Sequence, residues 1–120
     1  MAVSVTGSPA KGRRDVLARQ IAVVRVTFDS SYPLGGTYAT NGEAFDPKEH
    51  VGFTPAVVIP VIRGTDGAAT SGPGRFVQYD YTNKRLHVYE DGATVAGVLD
   101  EVPNTTDLST LVIDVICISD

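Results

Sequence analysis

Tryptophan is absent from this chain of 120 residues, cysteine and methionine occur once each, and histidine twice. Each scarcity closes off a class of function. A lone Cys117 permits no intrachain disulfide, so the fold has to be held by its core, which suits assembly in a reducing cytoplasm. Two distant histidines, His50 and His87, and one thiol do not supply the clustered ligands of a zinc site. The Asp-Gly pairs in GTDGAA and EDGAT lack the alternating acids of a calcium loop and read as turns. No metal and no cofactor is expected. Positive charge is short as well: 10 Lys and Arg against 14 Asp and Glu leave a net charge of -4, with no global attraction to nucleic acid. Long apolar runs are missing too. The longest, from Ala56 to Ile62, is interrupted by Pro60 and is far too short to span a bilayer. The first twenty residues place their basic cluster after a polar stretch, unlike a secretory signal.

What is present describes one globular domain. Hydrophobic residues make up 42% and charged residues 20%, the ordinary range for a chain with a real core. Residues 1–12, rich in Ser, Thr, Gly and Ala, read as a flexible N-terminal arm, and residues 13–120 as a single β domain. The segment RRDVLARQ either makes a helical turn or leads straight into a strand. From Gln20 the chain alternates, with Val24, Val26 and Phe28 on one face and Arg25 and Thr27 on the other. Tyr32-Pro33-Leu34-Gly35 has the chemistry of a type I turn. In FDPKEH, Asp46 is placed as N-cap, Pro47 at the first helical position and Glu49 to reach back, with Gly52 as a stop, which gives one short helix. Pro55–Gly64 predicts a strand buried on both faces or bent at Pro60, and 64–74 a surface loop. RFVQYDY and KRLHVYE predict a hairpin about Thr82-Asn83-Lys84, with Asn83 tolerating the left-handed conformation. One further strand is expected near Val95–Leu99. STLVIDVICIS, apolar on both faces, predicts a central or interfacial strand. Five or six strands, one short helix and an extended arm make a mainly β fold, a small β-sandwich or barrel-like domain.

No catalytic constellation emerges. Cys117 falls at an alternating position of an apolar strand, where a buried, inert thiol is expected. His87, between Leu86 and Val88, reads as a sheet residue facing water, and His50 as a helix-end residue beside the last carbonyls. Neither has a base or nucleophile within the pattern of the sequence, so the chain is not read as an enzyme. The glycines of TFDSSYPLGGTYAT fail as a phosphate cradle, since no helix pattern follows them and no lysine occurs before Lys48. They succeed as a turn. Lys11, Arg13, Arg14 and Arg19 form a basic cluster that reads first as a solvated strand entry. It reads second as an arm pairing with acidic groups on a partner protein, and only third as a nucleic-acid contact.

Three stretches in order carry a resemblance. They are Val26-Thr27-Phe28-Asp29-Ser30-Ser31-Tyr32-Pro33-Leu34-Gly35-Gly36, then Tyr79-Asp80-Tyr81-Thr82-Asn83-Lys84-Arg85-Leu86, then Glu101-Val102-Pro103 with Thr106-Asp107-Leu108-Ser109. Together they resemble a family of small virion structural proteins of tailed bacteriophages, the capsid decoration or cement proteins, over about Gly12 to Ile118. The family runs from its two glycines directly to a glutamate. Here TYATN precedes Gly42-Glu43-Ala44, and the 64–74 loop is longer than expected. The resemblance implies a non-enzymatic protein on the outer capsid surface of the virion, made in the bacterial host cytoplasm. Its partners would be the major capsid protein and further copies of itself, a trimer favoured over a dimer, with no nucleic acid and no membrane. Lys11, Arg13, Arg14 and Arg19 are its candidate capsid contacts. The alternative is a receptor- or carbohydrate-binding β domain shown as a head fibre or tail appendage. It would use Tyr32, Tyr38, Tyr79, Tyr81 and Tyr89, and the exposure of those rings discriminates the two readings.

Overall fold

A computed structural model describes residues 3–6, 14–16, 19–63, 74–91 and 99–120. The longest strand, β3 (Arg19–Phe28), arises where β-branched residues alternate with polar ones, and its even-numbered side chains Ala22, Val24, Val26 and Phe28 are buried. It lies antiparallel to β9 (Val112–Ser119), with Val24 opposite Val115 and Val26 opposite Ile113, so the two strands present one apolar face. β5 (Pro55–Ile62) adds to the other side of β9, while β1 (Val3–Thr6) and β2 (Arg14–Val16) both pair with β3. The second sheet centres on β7 (Arg85–Asp91), flanked on one side by β6 (Arg75–Asp80) and on the other by β4 (Glu43–Ala44) and β8 (Leu99–Glu101). Its inward row is Val77, Tyr79, Leu86 and Val88, which closes against β3, β5 and β9 in one buried cluster with Phe45, Val102, Leu108 and Leu111. The result is a mainly β, sandwich-like domain of two antiparallel sheets, as the composition implies.

Several expectations need correction. The strands number nine among the described residues, because β1, β2 and β4 are too short to leave a periodic signal; where a strand was expected near Val95–Leu99, β8 begins at Leu99. Four residues of the expected arm, Val3–Thr6, are a strand whose Val5 stands opposite Val26, while 7–13 lie outside the described residues. RRDVLARQ resolves to strand over Arg14–Val16. β5 is an edge strand, with one face buried at Val58 and the other open. Proline fits there, since an edge needs no outward donor. No turn forms over 32–35; the loop is closed more widely, by Gly42 N–H donating to Pro33 C=O at 2.8 Å. In the β6–β7 hairpin the positive φ falls at Lys84 (54°), and Asn83 instead donates its backbone and side-chain N–H groups to Asp80. The helix α1 (Lys48–Val51) forms where expected, with Asp46 accepting from Lys48 N–H and left-handed Gly52 ending it, but the Glu49 side chain does not reach back to cap it. β9 is central, between β3 and β5. The 64–73 loop and 92–98 lie outside the described residues.

Candidate functional site

The three stretches that carry the resemblance meet in space. Tyr32 follows β3 and is fully buried; its backbone N–H donates to Thr106 C=O at 2.9 Å, and its C=O accepts from Thr105 N–H at 2.8 Å. That pairing directs the phenol between the sheets, where it donates to Glu101 Oε2 and accepts from Val88 N–H at 3.1 Å. Glu101, on β8, also takes His87 Nδ1 at 2.9 Å on Oε2 and Asn41 Nδ2 at 3.2 Å on Oε1. A carboxylate only accepts, so Nδ1 is the donor in this contact. His87 Nε2 points toward Asp80 Oδ2 at 3.5 Å and has no hydrogen-bond partner. One carboxylate thus gathers a tyrosine, a histidine and an asparagine from three other segments of the chain.

Burial sets the electrostatics. The Tyr32 phenol is held far above its ordinary range by desolvation and then by Glu101. Desolvation pushes Asp80 up, but the Asn83 side chain, the Asn83 and Thr82 N–H groups and His87 outweigh it and leave its carboxyl lowered. Glu43 is the opposite case. Opposite Leu86 on the inward row, it is fully buried, and neither carboxyl oxygen has a partner. Desolvation, with a contribution from Asp29 and against Arg85, pushes its carboxyl up to about 8, so it is neutral at physiological pH.

His87 stands on the outward row of β7, opposite exposed Gln78, yet is completely buried. The reason is the TYATN segment, residues 37–41. Its 3₁₀ turn, Tyr38–Thr40, lays the Tyr38 ring on the imidazole with centroids 4.3 Å apart and planes 4° from parallel. Glycines flank this lid, and the backbone requires one at Gly42. A Cβ on Gly35 would stand 2.6 Å from Thr40 Oγ1, and Gly42 (φ 86°) approaches so closely that a Cβ would stand 2.6 Å from Leu86 O. Sequence reasoning placed His87 in water because nothing in the chain's pattern reveals a cover supplied from residues 38–41. The usable signal was the aromatic residue of that segment, Tyr38.

The other sheet has a different outer face. Odd-numbered side chains of β3 and β5 and even-numbered ones of β9 point outward, and they are mostly aliphatic: Val23 is 41% exposed, Val57 40%, Ile59 41% and Val61 45%, beside half-buried Ile116 and Ile118. Arg25 and Arg63 flank Asp114 at one end, at 3.4 and 3.6 Å. Arg19 lies exposed on the same row of β3. Arg14 is in β2, in register with Ile21; Lys11 and Arg13 lie outside the described residues. The free edge of β5 is blocked. The Tyr81 hydroxyl accepts from Val58 N–H at 3.0 Å and donates to Val58 C=O at 3.2 Å, and Pro60, two residues on, has no N–H to offer.

The remaining candidates are structural in placement. Cys117 is buried and its thiol pushed up to about 11 by desolvation. His50 stacks on Phe45 at 5.4 Å. Tyr79 is 8% exposed on the inward row while Tyr89 faces outward, so the hairpin tyrosines do not share one face. Among the described residues no group of three or more His, Cys, Asp or Glu side chains could hold a metal ion. No described helix is long and apolar enough to cross a membrane. Comparison of the chain with protein-family models, curated proteins and solved structures finds no match.

Proposed function

We propose that this chain is a non-enzymatic virion structural protein of a tailed bacteriophage, a capsid decoration protein that docks on the outer surface of the head and clamps neighbouring capsomers. One observation carries the reading beyond the resemblance: the outer face of the β1–β3–β9–β5 sheet is an aliphatic surface set among arginines. Val23, Val57, Ile59 and Val61 are each 40–45% exposed on it, and Arg19, Arg25 and Arg63 stand around them. A contiguous apolar patch rimmed by charge marks a protein contact. Because the β5 edge is occupied by Tyr81 and Pro60, strand addition at that edge is closed, which leaves this part of the surface to make contact by side chains across the face. Three basic residues against one salt-bridged Asp114 suit an acidic rim on the major capsid protein.

The histidine site favours the same reading. Its imidazole is covered by Tyr38 and its Glu101 partner accepts three hydrogen bonds, so the grouping serves to lock four segments together. Self-association, as a trimer in preference to a dimer, belongs to the proposal. The test is co-sedimentation with expanded, undecorated capsids, with unexpanded procapsids and the chain alone as controls. Saturable binding to expanded shells, at a stoichiometry tied to the lattice, is the expected result. Absence of binding to either shell would overturn it.

A further inference from the structure

The two outer faces of a two-layer sandwich point in opposite directions, and here they differ in chemistry. Where the first sheet shows aliphatic side chains and arginines, the outward row of the second shows aromatic rings. Phe76 stands opposite Tyr89 with centroids 6.4 Å apart, Tyr89 lies 6.5 Å from His87, and His87 carries Tyr38 at 4.3 Å. The two end rings are open: Phe76 is 51% and Tyr38 49% exposed. Exposed Gln78 lies between Phe76 and Asp80 on the same row, and the Thr37 and Thr40 hydroxyls border Tyr38.

The rings are held in place before any ligand arrives. Tyr38 is stacked on an imidazole that Glu101 fixes. The loop behind it is anchored by Asn41 to Glu101 and by Gly42 N–H to Pro33 C=O. Such preorganisation lowers the ordering cost of binding a flat, weakly interacting ligand.

Charge narrows the ligand class. Glu101 accepts from Tyr32, His87 and Asn41, and Asp80 from Thr82 and from both N–H sources of Asn83, so both carboxylates are largely committed within the protein. Their field still reaches the surface. Tyr38 and Tyr89 are both raised, first by desolvation, with Asp80 and Glu101 contributing, and Tyr89 reaches about 12. Arg85, opposite Asp80 on the same row and donating to Gly42 C=O at 2.9 Å, offsets part of that field, so neither sign of charge is favoured. What is left to offer is ring faces, an amide and hydroxyls. Those complement a molecule with apolar C–H faces and a rim of hydroxyl groups.

We infer that the outward row of the β4–β7–β6 sheet, from Phe76 through Tyr89 to Tyr38, is a binding platform for a neutral oligosaccharide. The assignment does not rest on the capsid reading, because the platform is on the opposite side of the sandwich and is tested on the free chain. A chain docked through its aliphatic face would turn this platform outward.

The experiment is an amide chemical-shift titration of the full chain with maltohexaose, cellohexaose and chitotetraose. The amine-bearing chitosan tetramer and an oligogalacturonate serve as cationic and anionic controls. At least one neutral probe should shift the amides of Phe76, Gln78, Tyr89 and Tyr38 and leave those of Val57 and Ile59 unmoved. Phe76→Ala, which removes an exposed ring and no hydrogen bond, should weaken that binding about tenfold. Tyr38→Phe, which keeps the ring on His87, should largely preserve it. The proposal is overturned if none of the three neutral probes shifts these amides at millimolar concentration. Shifts that survive Phe76→Ala, or a stronger response to either charged control, would overturn it equally. Self-association through this row, relieved by Phe76→Ala, would make it a protein contact and also overturn it.

Discussion

A carboxyl group with no partner in the core makes stability depend on pH in a direction opposite to that of a salt-bridged acid. Glu43 binds its proton more tightly folded, with a value of about 8 against an ordinary 4.5, so between those values the folded state holds a proton that the unfolded chain has released. Stability therefore falls as pH rises from about 5 to 8, and the loss from this residue reaches a few kcal/mol at most. Glu43→Gln should flatten that slope and raise the urea midpoint at pH 8 more than at pH 5. An unchanged slope would place the carboxyl in contact with water. Asp80 acts in the reverse sense: its lowered carboxyl supports the fold above its unfolded value, and that support is lost as the solution is acidified below it. Tyr32 is the third residue whose effect can be isolated. Tyr32→Phe keeps the buried ring, removes a donor to Glu101 and leaves Val88 N–H unpaired, so a loss of about 2–3 kcal/mol is expected in chemical denaturation. A loss below about 0.5 kcal/mol would mean that Glu101 and Val88 find other partners.

At the scale of the element, the sequence was readable wherever a period outlasted the strand. β3 and β9 were legible because alternation runs through eight to ten residues, and the β6–β7 hairpin because two such runs flank a short polar turn. β5 was misread because a run of apolar residues has the same appearance in a buried strand and in an edge strand with an exposed aliphatic face. Only its neighbours decide, and they lie more than fifty residues away. The histidine site was illegible for the same reason. Tyr32, Asn41, His87 and Glu101 sit on four separate segments, and no spacing encodes their meeting. Nor did the sequence reveal that Tyr81 closes the β5 edge. Tyr81→Phe should lower stability by only about 1 kcal/mol, since the ring still packs edge-on against Tyr79 at 5.0 Å. Its larger effect should be on association, because Val58 then offers a free N–H and C=O to another strand. Sedimentation velocity should show concentration-dependent aggregates absent from the parent; a variant as monodisperse as the parent would shift the protection to Pro60 alone.

For the whole molecule, the question is which part of the chain grips a partner, and the N-terminal segment and the aliphatic face make different forecasts. Val3–Thr6 pairs with Thr27-Phe28 and the two residues before them, so this stretch completes the sheet in place. Deleting residues 2–12 should uncover that side of β3 and cost roughly 1–2 kcal/mol of stability. The domain should still fold, because the buried rows of β3, β9 and β5 keep their opposing sheet. Val57→Asp with Ile59→Asp changes side chains that are already 40% and 41% exposed, so its melting temperature should stay close to that of the parent. On the capsid the order reverses. If the aliphatic face is the contact, burying two added carboxylates should abolish co-sedimentation, while the deletion should leave most of the binding, scaled only by its lower stability. The opposite pattern, binding that tolerates both aspartates and vanishes with residues 2–12, would move the grip to the basic N-terminal segment that includes Lys11. Loss in both variants would mean that strand and face contact the shell together. That outcome is reasonable on geometric grounds, since β1 and the arginine-bearing row of β3 belong to one continuous sheet.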